Sequence, residues 1–366
     1  MKILFVGGGT AGSVSPLLAL AQEFRKRVPG VEFFWLGTKT GPEQTLVEEQ
    51  DIKFAAISCG KWRRYFSLQN ILAPFQVIGG FFQACKILRR FKPDAVLTAG
   101  SFVAVPVIWA AWFRRIPRFV HQQDVQVGLA NRLLAGIATR ITVAWPDLVK
   151  EFSSKKTIAV GNPVRAEIML GQAARAHERF KLEKDLPVLL IMGGGTGAKA
   201  LNEIAAAAAP RLVEFCQVIH LTGGGDKHHE TVAELGKTLT IHANRYHVFE
   251  FVTSEMPDML AVADFVVARA GMGTISELSA LGKAALLIPM PATHQEDNAR
   301  FCIEQDAVEV LPQPKLTPEI FAVEIKDLIN KPERRQELGE RFKKLLPQGA
   351  AGKIVKLVLD VVDRRA

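Results

Sequence analysis

Short apolar runs alternate along the chain with longer stretches whose apolar positions recur at helical spacing. The runs Ile3–Val6, Glu32–Leu36, Ala95–Thr98, Arg118–His121 and Ile141–Ala144 read as buried strands. Between them Pro16–Arg27, Ile71–Arg90 and Val127–Ala135 carry the 3.6-residue pattern of amphipathic helices. The alternation then restarts. Val188–Met192, Val218–Leu221, Val248–Phe251, Phe265–Ala268 and Ala284–Ile288 are further strands, and a helix with Ala200, Leu201, Ile204 and Ala205 follows the first of them. Strand–helix alternation predicts parallel sheets covered by helices. The expected fold class is therefore α/β, with two doubly wound Rossmann-like domains facing a cleft. Residues 1–160 form the first domain and 161–350 the second. The apolar spacing of Ile354–Val362 predicts a C-terminal helix, 351–366, that packs back on the body. Ligands of such sheets bind beyond the carboxyl ends of the strands.

Composition narrows the class. At 366 residues, 48% hydrophobic and 23% charged, the chain is globular and long enough for two cores. Cys59, Cys85, Cys216 and Cys302 are scattered, without the spacing of a disulfide scaffold or a zinc site, which fits a reducing compartment. Met1-Lys2 leads straight into a strand-like run rather than a leader pattern. The uncharged stretches 65–85 and 95–113 are interrupted by Gln, Asn, Pro and Gly and do not read as spanning helices. The net charge of +9 is unevenly spread: residues 1–160 hold 21 Lys+Arg against 10 Asp+Glu, and the rest hold 25 against 27. A basic first half suits a diphosphate or an anionic lipid surface. No basic-aromatic module supports nucleic acid.

Three glycine loops stand where strands meet helices: Gly7-Gly8-Gly9-Thr10-Ala11-Gly12-Ser13, Gly193–Gly197 and Gly271-Met272-Gly273-Thr274. Glycine lets the backbone approach a ligand, and a helix N-terminus offers N–H donors to an anion. One such loop is as often a tight turn; three at strand ends predict phosphate binding. None is a P-loop, since no GK[ST] follows. Trp35-Leu36-Gly37 closes the second strand without a ribose-binding acid, which disfavours a nicotinamide dehydrogenase. Glu277 lies one turn into the helix opening at Met272, within reach of a ribose bound there; the plain alternative is a carboxylate complementing the helix dipole. His121-Gln122-Gln123-Asp124 ends a buried strand, and His294-Gln295-Glu296-Asp297-Asn298 follows another. Each is either a ligand-facing cluster or a polar cap. His228-His229 has no assigned role, and nothing has metal-ligand spacing.

These pieces in order, together with Gly100-Ser101-Phe102, His121–Asn131 and Gly161-Asn162-Pro163-Val164-Arg165, resemble the MurG-type glycosyltransferases of family 28 over essentially the whole chain. The resemblance implies the GT-B fold and inverting transfer of GlcNAc from UDP-GlcNAc to the 4-hydroxyl of MurNAc in lipid I, giving lipid II for peptidoglycan. It implies that Arg165 and Gly195 line the nucleotide site, Phe251 and Val252 bracket the uracil, and Met272, Gly273 and Thr274 give N–H groups to the diphosphate. Glu277 would hold the ribose, and Gln295 and Glu296 the GlcNAc hydroxyls. Gly8, Gly9, Thr10, Ala11, Gly12 and Ser13, with Asn131, would meet the acceptor's diphosphate. No cofactor is required by the resemblance; stimulation by Mg2+ stays open.

The departures fall on the acceptor side. The family's first loop reads GGTGGH, and its histidine is a favoured base. Here Ser13 stands in that place and Ala11 replaces a glycine. The family's HEQN-like segment is His121-Gln122-Gln123-Asp124, with Gln122 for the glutamate. A serine is no base near neutral pH, so the expectation passes to Asp124 or His121. Lys61-Trp62-Arg63-Arg64-Tyr65-Phe66 leads into Leu68, Ile71, Leu72, Phe75, Ile78, Phe81 and Phe82, near Arg89, Arg90, Lys92, Arg114, Arg115 and Arg118. Aromatic and apolar residues rimmed by cations suit an anionic membrane face, and the family docks on the cytoplasmic side of the membrane through this region. The alternatives are a UDP-sugar transferase with another lipid acceptor, a UDP-GlcNAc 2-epimerase, and a sugar-nucleotide-binding homologue that has lost its base.

Overall fold

The computed structural model describes the chain except residues 10, 42, 61–67, 195–196, 224–231, 233–238, 240, 251, 253 and 366, together with the side chains of Ala11 and of residues 68–72. The chain divides into two compact units, Met1–Arg165 with Pro347–Ala366, and Ala166–Leu346.

Unit 1 holds a seven-stranded parallel sheet. Its strands are β1 (Lys2–Val6), β2 (Glu32–Gly37), β3 (Lys53–Ala56), β4 (Ala95–Thr98), β5 (Arg118–Gln122), β6 (Arg140–Val143) and β7 (Thr157–Ala159), in the spatial order 3-2-1-4-5-6-7. Its helices α1 (Ser15–Arg27), α2 (Glu43–Glu48), α3 (Leu68–Phe91), α4 (Ala104–Phe113) and α5 (Leu129–Ala135) lie between strands. Buried on both faces, β1 and β4 are continuous apolar runs with hardly an exposed residue. Strand order reverses between β1 and β4, so their two following loops open side by side.

Unit 2 repeats the plan with a six-stranded parallel sheet. Its strands are β8 (Val188–Met192), β9 (Gln217–Leu221), β10 (Tyr246–Phe249), β11 (Phe265–Ala268), β12 (Ala285–Leu287) and β13 (Glu309–Val310), in the order 10-9-8-11-12-13. The helices are α6 (Ala173–Phe180), α7 (Lys199–Leu212), α8 (Met256–Val262), α9 (Met272–Leu281), α10 (His294–Glu304), α11 (Pro318–Ile329) and α12 (Pro332–Leu345). The reversal falls between β8 and β11, which again sets two glycine loops next to each other.

The last helix, α13 (Ala350–Asp363), returns to unit 1 and packs on α1. Ile354, Val355 and Val358 join the core formed by Leu17, Leu20, Phe24 and Trp35. Residues 161–165, grouped with the second domain on sequence, sit with unit 1: Gly161 (φ 86°) lies so close to Pro347 that a Cβ there would come within 1.8 Å of its carbonyl oxygen. The strand expected at Val248–Phe251 begins two residues earlier, at Tyr246. Its phenol closes a hydrogen bond to His220 that fixes the register.

Candidate functional site

In unit 1, β1 runs into a loop that is stitched from beneath. Trp35 Nε1 donates to Gly7 O (2.8 Å), and Ser101 Oγ, from the loop after β4, donates to Gly8 O (2.8 Å). Ser13 is buried and turns its hydroxyl toward the same carbonyl (3.4 Å). Gly9 takes φ 84° against the Phe102 ring, which a Cβ would meet at 2.7 Å. The two loops at the strand reversal are thus one structure. Gly12 lies in the single turn Ala11–Ser13 that follows, and Thr10 lies outside the described residues.

The end of β5 is a second cluster. His121 is 3% exposed. Its Nε2 lies 2.8 Å from Asn162 Oδ1 and its Nδ1 2.9 Å from Thr142 Oγ1. An amide oxygen only accepts, so Nε2 carries the proton and Nδ1 accepts from the threonine hydroxyl. Burial pushes its pKa down to about 4, against the opposing pull of the Asn162 and Thr142 bonds. With both nitrogens engaged and the ring neutral, His121 has no lone pair to offer as a base, contrary to one of the two expectations from sequence. Asp124 is partly exposed two residues past the strand, and its carbonyl accepts from Gln122 Nε2 (2.8 Å).

Asn131 also differs from expectation. Both its amide hydrogens are used, one to His121 O (3.1 Å) and one to Gln122 Oε1 (2.7 Å). At 4% exposure it organises the strand end and has no side-chain N–H left for a diphosphate. Among the described residues its Oδ1 and the Oε1 of Gln123 have no hydrogen-bond partner.

In unit 2, β11 ends in Ala268-Arg269-Ala270, and Gly271 caps α9 without a side-chain hydrogen bond. The first N–H groups of that helix, at Met272, Gly273 and Thr274, have no partner within the helix. A Cβ at Gly271 or Gly273 would meet nothing within 4 Å, so packing does not demand glycine there. Glu277 stands half-buried on the second turn. Arg269 is 6% exposed beneath this loop and donates to Ile288 O (3.0 Å), Pro289 O (3.4 Å) and Gln313 Oε1 (2.6 Å). Burial pulls its pKa below the ordinary arginine value. Its partners in these bonds are neutral oxygens.

The loop before α10 is a capping arrangement. Thr293 Oγ1 accepts from Gln295 N–H (3.3 Å), Gln295 Oε1 accepts from Met290 N–H (3.0 Å), and Glu296 Oε2 accepts from Ala292 N–H (3.1 Å). Gln295 is half-buried, whereas Glu296 is exposed and spends one oxygen on the backbone. Asn298 Nδ2 bonds Ala270 O (3.2 Å), which joins α10 to the β11 loop. On the β8 side, Asn202 donates to Thr222 O (2.9 Å) and accepts from His220 Nε2 (3.2 Å). Gly194 takes φ 91° with no neighbour within 4 Å of a built Cβ. Gly195 and Phe251 lie outside the described residues; Val252 is half-buried beyond β10. Arg165 is the last residue of unit 1.

Two family models match the chain, one largely within each unit's stretch of sequence. The N-terminal domain of glycosyltransferase family 28 matches residues 3–143, and its C-terminal domain residues 188–351. The chain belongs to glycosyltransferase family 28. A UDP-N-acetylglucosamine–N-acetylmuramyl-(pentapeptide) pyrophosphoryl-undecaprenol N-acetylglucosamine transferase of Clostridium kluyveri is 36% identical, with 98% of each chain covered. Its counterpart from Lachnospira eligens is 39% identical over 80% of this chain and 79% of its own. The crystal structure of Acinetobacter baumannii MurG matches with TM-score 0.74 and 26% identity over 98% of this chain and 99% of that one. The UDP-GlcNAc 2-epimerase of Neisseria meningitidis, at 16% identity and TM-score 0.68 over 98% of this chain and 100% of its own, shares the fold alone. Family 28 membership makes the chain a GT-B glycosyltransferase, as its sequence motifs led one to expect.

Three residues of the site escaped the sequence reading. Asn162 and Thr142 were passed over as partners of His121, although Asn162 stands inside the Gly161–Arg165 motif. Glu43 was missed entirely; its only sequence signal is an acid placed just after the Gly37–Gly41 turn.

Proposed function

We propose that this chain transfers N-acetylglucosamine, with inversion, from UDP-GlcNAc to the MurNAc 4-hydroxyl of an undecaprenyl-diphosphate-linked acceptor, lipid I. The observation that carries this reading is the end-to-end match to relatives named for that transfer. Unit 2 takes the donor. Its diphosphate meets the N–H groups of Met272, Gly273 and Thr274. The ribose hydroxyls face Glu277, and the GlcNAc hydroxyls face Gln295 and Glu296. Arg165, Gly195, Phe251 and Val252 keep the nucleotide roles that the resemblance implies. Unit 1 takes the acceptor at the Gly8–Ser13 loop. Asp124 removes the proton from the attacking hydroxyl, since Ser13 replaces the family's histidine and His121 is locked neutral. His121 and Asn131 hold the strand end that presents Asp124.

The enzyme works at the cytoplasmic membrane face. Among the described residues no helix is long and apolar enough to cross a membrane. Phe75, Ile78 and Phe82 on α3, and Trp109, Trp112 and Phe113 on the neighbouring α4, are exposed together. Lys86, Arg89, Arg90, Arg114 and Arg115 are exposed on the same two helices and the turn after them. Apolar side chains rimmed by cations fit anionic lipid. The Lys61–Phe66 part of the expected patch lies outside the described residues.

The test is transfer of labelled GlcNAc from UDP-GlcNAc to a short-chain lipid I analogue, with and without Mg2+, by wild type, Ser13→His and Asp124→Asn. Wild-type transfer that Asp124→Asn abolishes supports the reading. Transfer only after Ser13→His would mean a donor-binding protein that has lost its base. UDP-GlcNAc binding without transfer by any variant would point to a different acceptor.

A further inference from the structure

Glu43, the first residue of α2, is fully buried in unit 1. Its Oε1 accepts from Thr38 N–H (2.6 Å) and Thr38 Oγ1 (2.5 Å), and its Oε2 accepts from Gly9 N–H (3.2 Å). The donors belong to the loops after β1 and β2, two neighbouring strands. Three glycines make room for the side chain. A Cβ on Gly8 would come within 2.2 Å of Oε1, one on Gly41 within 1.8 Å of Oε2, and one on Gly37 within 3.0 Å of Cγ. Among the described residues no Lys or Arg pairs with this carboxylate. A buried carboxyl group held only by neutral donors costs stability compared with an apolar residue, so core packing alone does not account for it.

The residues it ties are walls of a cavity. Gly9 and Thr38, with Lys39, Ser58, Gln76 and Phe102, line a space of about 420 Å³ beside the β1 loop. Cys59, also on the wall, has its thiol pushed up to about 11, first by burial and then by Glu43.

We propose that Glu43 is a positioning residue for the acceptor: it turns the Gly9 and Thr38 amides inward and so sets the width of this cavity and the pose of the glycine loop. The inference rests on the acceptor role proposed above for unit 1. In this arrangement the Gly9 N–H is spent on Glu43. The acceptor's diphosphate is met by amides further along the loop, which the Glu43 tie holds in place. The cavity takes the polar head of the acceptor next to that diphosphate.

Glu43→Gln decides it. The glutamine amide must turn its NH2 toward either Gly9 N–H or Thr38 N–H, donor against donor. The expected result is an acceptor KM raised about tenfold or more, with UDP affinity unchanged by calorimetry and faster hydrogen exchange at the Gly9 amide. Thr38→Val, which deletes one of the three donors, gives a smaller rise in the same direction. Gly41→Ala displaces the same carboxylate, which a built Cβ meets at 1.8 Å, and raises the acceptor KM in the same direction. Wild-type acceptor KM and wild-type Gly9 exchange in Glu43→Gln would overturn the proposal. If that variant does not fold, the same two readouts on Thr38→Val and Gly41→Ala decide in the same sense. If the wild type binds UDP-GlcNAc but transfers nothing to the lipid acceptor, the acceptor reading fails, and Gly9 exchange still tells whether Glu43 holds the loop.

Discussion

At the scale of single residues, burial decides which groups can react. His121 stands where a base is wanted, yet its two hydrogen bonds and its depressed pKa make it part of the frame. In the unfolded chain a histidine takes up its proton near 6.5; in the fold His121 does so only near 4. The unfolded state therefore binds more protons between those values, and His121 makes stability fall as pH drops from about 6.5 toward 4, then level off. His121→Gln should flatten that limb of the curve of Tm against pH, measured by calorimetry beside the wild type. Asp124→Asn should leave the fold intact and lower kcat by about 10²–10⁴-fold, the usual worth of a general base; an unchanged kcat would remove Asp124 from the chemistry. The sequence put His121 and Asp124 at one strand end because β5 reads plainly as a strand, and gave Asn131 to the acceptor's diphosphate. It did not reveal which of them face inward. Asn162 lies 41 residues from the ring it binds, and Glu43 lies 34 from Gly9. Spacings that long carry no periodicity to read.

At the scale of elements, most strands that the sequence showed are buried along nearly their whole length, as β1, β4, β8 and β11 are. Three were missed: β3, which begins with an exposed lysine; β7, of three residues; and β13, of two. Each is at a sheet edge, where alternation is short and half-polar. The glycine loops were legible because their function needs glycine for two different reasons, and the structure separates them. Gly8 is glycine because Glu43 fills the space a side chain would take, whereas Gly273 faces none. Gly273→Ala should therefore keep or slightly raise Tm, since alanine suits a first helical turn. It should weaken UDP binding by about tenfold where the methyl meets the diphosphate. Calorimetric titration with UDP checks the affinity and a thermal melt checks the fold. Equal UDP affinity in the alanine variant would show that the α9 N-terminus is not the diphosphate site.

At the scale of the whole molecule, the basic first half and the exposed rings belong to the same unit. Phe75, Phe82 and Phe113 are 70%, 66% and 72% exposed, and each would contribute about 1.5–3 kcal/mol if buried in lipid. Replacing all three by Ser should abolish sedimentation with vesicles containing anionic lipid while transfer to a water-soluble acceptor analogue persists. Binding by the wild type should weaken with added salt. The return of the last helix has a consequence of another kind. Ile354, Val355 and Val358 complete the core of unit 1, yet the ribosome makes them only after all of unit 2. A nascent chain ending at Leu346 exposes the face of α1 that α13 covers. Unit 1 thus finishes folding only after unit 2 has been made, and a product cut short before α13 betrays itself to proteases by that uncovered face.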